Sequence, residues 1–304
     1  MKYINLFTKK YKKVLSFDGG GVRAILGLYF LKRLEQETSK SIFDSFDLFI
    51  GTSAGAINAL MLAVNGSSIA DIEKFWSQEN LRKIMNQSLI DKTSILQTRP
   101  KYNNIAKREI LSNFFFDKRI GEALKPAVVT AYDLEKRKPV LISSYKDSNV
   151  SVVEAANASS AAPIYFPTAK MDDGRWLIDG GIATNNPSLL GYVEAKKLFG
   201  TDKIKVLGIG AGLNKRKING KSSRNWGAIG WLRHDILGIM LESSLQNEIL
   251  NDLIGDNYLR VNSAIQNVNR RMDDISDQNL IRIRQLSDLW WSKFGEKAIN
   301  FLNF

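Results

Sequence analysis

A serine between two glycines is the residue in this chain best suited to nucleophilic chemistry. Ser53 occupies the centre of Gly-Thr-Ser-Ala-Gly at residues 51–55, after the apolar run 48–50 and before a helix-like segment. In a strand–turn–helix, flanking glycines let the backbone bend tightly, so the serine hydroxyl is exposed beside the first N–H groups of the helix. This arrangement suits an acyl-transfer nucleophile. The alternative is a purely structural helix start whose small residues pack against a sheet.

A nucleophilic serine needs a base, and the chain offers few candidates. The 304 residues include a single histidine, His234, and no cysteine. His234 lies within a long helical stretch and beside no turn motif, which favours a helix-surface position over a catalytic one. The composition excludes a cysteine nucleophile, thiolate metal ligands and disulfides, and one histidine argues against a histidine-based metal site. We therefore expect neither a metal nor another cofactor.

Asp179 is the carboxylate that we consider as the base. The apolar run 176–178 leads to it, and Gly180 and Gly181 follow in a turn. An aspartate that is partly desolvated beside a serine can accept the hydroxyl proton. The alternative is an Asp-Gly turn in which the carboxylate binds its own backbone, the commonest role of such residues.

Three consecutive glycines supply hydrogen-bond donors for an oxyanion. Gly19, Gly20 and Gly21 follow a short apolar strand and precede a helix-like segment, with Arg23 placed to anchor the loop. Successive N–H groups at a helix start form an anion-binding cavity, and the N–H of Ala54 at the serine turn adds a donor. The glycines also fit a dinucleotide-binding fingerprint. That fold needs an acidic residue at the end of the next strand, which here ends at the serine turn instead.

Alternating strand-like and helix-like segments must position these side chains. Apolar runs predict strands at residues 14–17, 47–50, 127–132, 139–144, 204–209 and 258–261. Helical patterns cover residues 25–37, 54–64, 152–162, 187–198, 226–254 and 277–302. Two β-turn-α units in succession indicate a parallel or mixed sheet between helices.

Residues 67–120 interrupt this alternation. They are more polar and predict a helical insertion, or a lid, whose aromatic side chains we assign to a local core. The chain contains no repeat, low-complexity tract or linker. We therefore expect a single domain over residues 1–304.

The net charge of +12 limits the class of partner. A basic surface attracts polyanions, and no cysteine/histidine finger or aromatic RNP motif supports nucleic acid as the partner. Five cationic side chains follow the predicted strand 204–209: Lys215, Arg216, Lys217, Lys221 and Arg224. In a parallel sheet this loop emerges at the edge where ligands bind. We hypothesise that it contacts an anionic membrane surface, the alternative being a solvated loop.

The sequence predicts neither a signal peptide nor a membrane span. Lysines follow the first residues too closely for the apolar region of a signal peptide. Residues 48–70 carry no charge and have the length of a span, but they contain the serine turn and read as a buried strand and a helix. We expect a cytoplasmic protein with peripheral membrane association, and export without a classical signal peptide stays open.

Four motifs in this order resemble the patatin-like phospholipase family. They are Asp-Gly-Gly-Gly-x-Arg at 18–23, Gly-x-Ser-x-Gly at 51–55, Ala-Ser-Ser-Ala-Ala-Pro at 158–163 and Asp-Gly-Gly at 179–181. The resemblance covers residues 14 to about 212. It implies a three-layer α/β/α sandwich around a mostly parallel central sheet. One departure is Ala24, which stands where the family usually has glycine.

The resemblance also implies a lipid acyl hydrolase that needs no metal. Ser53 matches the family's nucleophile, Asp179 its base, and the glycine loop 19–21 with Arg23 its oxyanion hole. The expected activity is of phospholipase A type, on fatty-acyl esters of glycerophospholipids or other acyl lipids, with any protein activator unknown. Two alternatives stay open: a catalytically idle binding or storage module with this fold, and a thioesterase that uses the same dyad.

Overall fold

A computed structural model of the chain describes residues 11–86, 99–227, 230–231, 238–239 and 245–303. Its strands are β1 (Lys12–Phe17), β2 (Leu48–Thr52), β3 (Ala127–Asp133), β4 (Lys138–Ser143), β5 (Ala169–Lys170), β6 (Trp176–Asp179), β7 (Ile204–Ile209) and β8 (Tyr258–Val261). They form one sheet in the order β5-β6-β3-β2-β1-β7-β8, and β4 also pairs with β3. The run from β3 through β2, β1 and β7 to β8 is parallel, whereas β4, β5 and β6 pair antiparallel.

Helices cover both faces of this sheet. Those with described bounds are α1 (Ile25–Thr38), α2 (Ile42–Ser45), α3 (Ala54–Asn65), α4 (Ile69–Phe75), α5 (Gln78–Ile84), α6 (Ile105–Phe115), α7 (Val152–Ser159), α8 (Ser188–Phe199), α9 (Gly220–Ser223), α10 (Leu245–Ile254) and α11 (Asp277–Asn303). The three-layer α/β/α fold with a mostly parallel central sheet, expected from the sequence, is confirmed.

The central strands bury both of their faces, which explains their apolar runs. Successive residues of a strand point to opposite sides of the sheet. Leu15 and Phe49 accordingly pack in the core shared with α1, α3, α7 and α11. Val14 and Ile50 belong to a second core, to which α8 and α10 contribute Ala195 and Leu250.

Parallel pairing brings three loops to one edge of the sheet. Phe17 at the end of β1 lies between Gly51 of β2 and Ile209 of β7. The glycine loop after β1, the serine turn after β2 and the basic loop after β7 therefore all start at the carboxyl ends of neighbouring strands. Ligands of open α/β sheets bind at this edge.

The predicted insertion at 67–120 contains the helices α4, α5 and α6, and its residues 87–98 lie outside the described chain. Helix α10 corresponds to the last part of the predicted helix 226–254. His234, in the middle of that prediction, lies outside the described residues. Residues 48–70 form β2, α3 and the start of α4. None of the described helices is both long enough and apolar enough to cross a membrane.

Candidate active site

The turn between β2 and α3 holds Ser53 in a strained conformation. Its backbone angles are φ 55° and ψ −125°, a region that residues other than glycine rarely enter. Such strain persists only where the surrounding structure enforces it, and it is concentrated at functional sites. The Ser53 N–H donates to the hydroxyl of Ser159 at 3.0 Å, which fixes the turn from outside. The result is the geometry of a nucleophile elbow.

Close packing explains the two glycines of this turn. A Cβ at Gly51 would collide with the backbone oxygen of Gly55, across the turn. A Cβ at Gly55 would lie 2.5 Å from the carbonyl oxygen of Asp18, at the end of β1. Any side chain at either position would push α3 away from the sheet, so the motif reflects the contact between strand and helix as well as backbone flexibility.

The register of β3 brings Asp179 towards the serine turn. Because β4 pairs with β3 along residues 128–133, β2 and β6 must share the other edge of β3. On that edge Thr52 is opposite Thr130, and Asp179 is opposite the next residue, Ala131. The antiparallel β6 thus ends where the parallel β2 ends, and the residue that follows β2 meets the last residue of β6.

Hydrogen bonds and a close approach fix this junction. The hydroxyl of Thr130 donates to that of Thr52 at 2.8 Å, and Thr52 donates to the carbonyl oxygen of Thr184 at 2.9 Å. Gly180 passes so close to Thr130 that any Cβ would overlap its hydroxyl. The glycine after the aspartate is therefore needed for the chain to turn away at this point.

Asp179 is buried, with 5% of the residue exposed, and it lines the same cavity as Ser53. Burial penalises the ionised carboxylate and raises its pKa to about 6. The Ser53 hydroxyl, the Gly181 N–H at 2.8 Å from Oδ1 and the nearby charge of Lys107 each oppose this rise in pKa. A carboxylate with this pKa is ionised at neutral pH and more basic than an exposed aspartate.

The backbone of the glycine loop offers two free donors to the same space. Gly20 and Gly21 line a cavity together with Ser53 and Ala54. Among the described residues no acceptor takes the N–H of Gly20 or Gly21, and Ala54 begins α3, where the first N–H groups have no helical partner. Gly21 has φ 56° and lies against the backbone of Met272, so a side chain there would be strained and crowded.

A family model described as patatin-like phospholipase matches residues 15–190, more than half of the chain. The chain belongs to this family. The match spans the glycine loop, the serine turn and Asp179.

Similar proteins cover most of this patatin-like chain. Patatin-like protein 1 of Arabidopsis thaliana is 30% identical over 94% of the chain and 81% of its own length. A cGAMP-activated phospholipase of Pseudomonas aeruginosa is 28% identical over 82% of the chain and 77% of its own length. The crystal structure of VipD from Legionella pneumophila aligns with a TM-score of 0.50 at 16% identity, over 92% of this chain and 67% of VipD. The last comparison supports the fold alone.

The cavity above Ser53 is large and mostly apolar, and we call it the apolar cavity. Its volume is about 910 Å³, within the usual range for sites that bind small organic molecules. The insertion contributes one wall through Phe75, Trp76, Leu81 and Ile84. Residues 162–168, which begin with the last two residues of the Ala-Ser-Ser-Ala-Ala-Pro motif, form another.

The aromatic residues of the insertion therefore do more than the sequence indicated. Phe75 packs against Trp76 and Phe114 with ring centroids 5.1 and 5.6 Å apart, as a local core requires. Phe75 and Trp76 also line the apolar cavity. The local core expected from the sequence is present, and its edge also forms a wall of the apolar cavity.

Lys107 is a site residue that sequence reasoning missed. It lies on α6, is 3% exposed and lines the apolar cavity. Its Nζ donates to the carbonyl oxygen and the hydroxyl of Ser160 at 3.0 and 3.2 Å and lies 4.1 Å from the ring centre of Phe166. Burial lowers its pKa to about 7, against the attraction of the Asp179 charge. Nothing in the local sequence distinguishes this lysine from a solvated one on an amphipathic helix.

Ser159 is a second site residue without an assigned role in the sequence, but a sequence motif marks its position. It belongs to the Ala-Ser-Ser-Ala-Ala-Pro motif at 158–163, which contributes to the family resemblance but does not by itself indicate a role for this serine. The motif ends α7, and besides the Ser159 contact with the Ser53 N–H, the Ala161 carbonyl accepts the N–H of Asp179 at 3.1 Å. The motif thus holds both halves of the serine–aspartate pair.

Gly19 and Arg23 lie on the other side of the glycine loop. The N–H of Gly19 donates to the carbonyl oxygen of Asn185 at 3.1 Å. Gly19 and the buried Arg23 line a separate polar cavity, which is not lined by Ser53 or Asp179. The glycine loop is therefore a partition between two cavities.

Proposed function

We propose that the protein is a lipid acyl hydrolase of phospholipase A type that uses Ser53 and Asp179 as a dyad. The observation that carries the proposal is a strained serine beside a buried aspartate whose pKa its hydroxyl lowers, both lining a large apolar cavity. A serine needs a neighbouring base, a place for the oxyanion and a site for the acyl group. All three adjoin Ser53.

In the proposed reaction, Ser53 Oγ attacks the acyl carbonyl carbon while Asp179 accepts the hydroxyl proton. The tetrahedral intermediate then breaks the ester C–O bond, and Asp179 gives the proton to the leaving oxygen of the lysophospholipid. A water molecule next attacks the acyl-serine, with Asp179 accepting its proton and returning it to Ser53 Oγ as the fatty acid leaves. The pKa of about 6 suits these transfers, because a general base is most effective when its pKa lies near the working pH.

We assign the oxyanion to the N–H groups of Gly20, Gly21 and Ala54. These three residues line the apolar cavity, whereas the N–H of Gly19 is already bonded to Asn185. The loss of one such donor typically costs about 3–4 kcal/mol of transition-state stabilisation. Gly19 and Arg23 then support the loop from behind.

We further propose one catalytic domain, because a single sheet carries all the described strands and the insertion packs beside its serine turn.

Incubation with vesicles of mixed phospholipid and neutral glyceride should release free fatty acid and lysophospholipid, both detected by mass spectrometry. The activity should persist in chelator, because the proposed reaction involves only side chains and water. Release of acid from an acyl thioester but from no phospholipid would favour the thioesterase, and no acid from any acyl substrate would favour the idle binding module. A strict requirement for calcium would contradict the mechanism.

We also propose that the basic loop after β7 contacts anionic membrane. The five cationic side chains of residues 215–224 are exposed, and the loop starts at the same edge of the sheet as the serine turn. Each cation near an anionic surface contributes about 1 kcal/mol, so replacing Arg216, Lys217 and Lys221 with glutamine should weaken binding to phosphatidylserine vesicles by roughly a hundredfold.

A matched control for the membrane contact removes three cations at the opposite edge of the sheet. Lys196, Lys197 and Lys203 are exposed near the amino end of β7. Their replacement with glutamine changes the net charge equally and should reduce vesicle binding much less in a flotation assay. Equal losses in the two triple variants, or none in the basic loop variant, would reject the membrane contact.

A further inference from the structure

The glycine loop has a polar cavity behind it, with a volume of about 280 Å³, and we call it the rear cavity. Its walls include Asp18, Gly19 and Arg23 from the loop and Arg260 and Asn262 from β8 and the residue after it. We propose that the rear cavity binds a small phosphate monoester and that its occupancy alters hydrolysis at Ser53. The binding stands independently of the activity, whereas the effect on hydrolysis rests on the proposed function.

The charged side chains of the rear cavity favour an anion. They comprise four cations and one carboxylate: Arg23, Lys215, Arg260, Arg270 and Asp18. The carboxylate is already paired, since Arg260 Nη1 donates to Asp18 Oδ1 at 2.8 Å and Nη2 to the other oxygen. The net lining charge is therefore +3, and guanidinium groups keep their charge at any physiological pH. Guanidinium groups bind phosphate oxygens with charge-assisted hydrogen bonds.

The neutral side chains of the rear cavity present donors more than acceptors. Asn262 Oδ1 accepts the Gly212 N–H at 3.0 Å, and Asn247 Oδ1 accepts the hydroxyl of Tyr258 at 2.9 Å. Among the described residues no acceptor takes the amide NH₂ of Asn247 or Asn262, and both asparagines line the cavity. A lining that offers cations and N–H donors complements an oxygen-rich anion.

Size and polarity restrict the rest of the ligand. A volume of about 280 Å³ is near the lower limit for small-molecule sites. The cavity therefore suits a phosphate with one small polar group, such as a ribose or a glycerol, and the polar lining does not suit a fatty-acyl chain. Phosphate monoesters of this kind come from two sources, free nucleotides and the head groups of lipids.

A ligand in the rear cavity would touch the partition that separates it from Ser53. Asn185 and Met272 line both cavities. The Asn185 carbonyl accepts the Gly19 N–H, and the Met272 carbonyl accepts the N–H of Val22 at 2.9 Å. Both ends of the glycine loop are thus bonded to residues that the ligand would contact. A small shift of either would move the N–H groups of Gly20 and Gly21, whose aim determines oxyanion stabilisation.

Calorimetric titration of the full chain with AMP, glycerol 3-phosphate and inorganic phosphate tests the site. Lys215 and Arg270 are exposed residues of the cavity rim, so their joint replacement with glutamine leaves the core intact. Charge-assisted hydrogen bonds to phosphate predict at least about tenfold weaker binding in this double variant. Lys221→Gln with Arg224→Gln removes the same charge outside the cavity and should change the affinity less than about twofold.

Each outcome of the titration bears on the site. Binding of AMP but not glycerol 3-phosphate assigns a nucleotide, and the reverse assigns a lipid head group. No binding of any probe at roughly 1 mM, or equal loss of affinity in the two double variants, overturns the proposal.

The effect of ligand binding on hydrolysis is measured with a soluble p-nitrophenyl ester, so that membrane binding does not contribute to the rate. The probe that binds should change the rate severalfold in the wild type and not in the Lys215→Gln, Arg270→Gln variant. Binding without a change in rate would reject the coupling between the cavities. Binding by a chain that hydrolyses no ester at all would reject the proposed function and leave the rear cavity as a ligand site.

Discussion

Ser53→Ala is expected to reduce ester hydrolysis by a factor on the order of 10⁴ to 10⁶, as the loss of a serine nucleophile typically does. The substitution removes only the hydroxyl group, and the backbone N–H at position 53 keeps its bond to Ser159, so the fold should be unchanged. Hydrolysis of a soluble ester by the purified variant, with circular dichroism as the measure of folding, checks this result. Activity within tenfold of the wild type would contradict the proposed mechanism.

Ser160→Ala is the matched control for the loss of the nucleophile. Ser160 also lines the apolar cavity, and its hydroxyl donates to the Ala156 carbonyl at 2.7 Å and accepts from Lys107. The loss of the Ser160 hydroxyl and its hydrogen bonds should lower activity by about tenfold at most. A fluorophosphonate probe should label the wild type and Ser160→Ala but not Ser53→Ala, a pattern that an idle binding module would not produce.

The backbone strain at Ser53 predicts a difference in stability that can be measured independently of activity. Glycine adopts a positive φ without penalty, whereas serine at φ 55° stores an energy of about 1 kcal/mol or more. Ser53→Gly should therefore be inactive yet more stable than Ser53→Ala in thermal unfolding. A lower melting temperature for the glycine variant would show that the turn is not strained.

Asp179→Asn is expected to lower activity by a factor on the order of 10⁴, similar to the loss of an aspartate from other catalytic sites. The asparagine Oδ1 can still accept the Gly181 N–H, which the carboxylate holds at 2.8 Å, so the turn should survive. The amide cannot accept the Ser53 proton at neutral pH. Burial favours a neutral side chain at this position, so the variant should fold at least as well as the wild type.

The pH profile distinguishes a base from a structural aspartate. Since burial raises the pKa of Asp179 to about 6, kcat/KM of the wild type should rise about tenfold per pH unit below pH 6 and level off above it. The residual activity of Asp179→Asn should lack this step. Lys107 lines the same cavity as Asp179, and burial lowers its pKa to about 7, so its loss of charge adds a weaker bend near that pH. A wild-type profile that is flat from pH 5 to 7 would rule out Asp179 as the base.

The sequence by itself determined the fold class and the local shape of the site. Apolar runs that lead into glycine turns predicted β1, β2 and β7 within two residues, because strands buried on both faces need uninterrupted apolar side chains. Glycines 51 and 55 predicted the tight serine turn, and the order of four motifs indicated the family. These signals are local, since each depends on a few consecutive residues.

Only the tertiary structure decided how these parts meet. Strand register is set by hydrogen bonds between distant segments, and it is the shared edge of β3 that brings the end of β6 to the end of β2. Burial makes Lys107 a member of the site, although its sequence surroundings resemble those of a solvated residue. Likewise, all three loop glycines look equivalent in the sequence, yet in the fold the N–H of Gly19 donates to Asn185, whereas no described residue accepts the N–H of Gly20 or Gly21. Hydrophobic periodicity and turn residues depend on neighbours along the chain. The proton affinity of a side chain and the direction of an N–H donor depend instead on distant segments that pack against them.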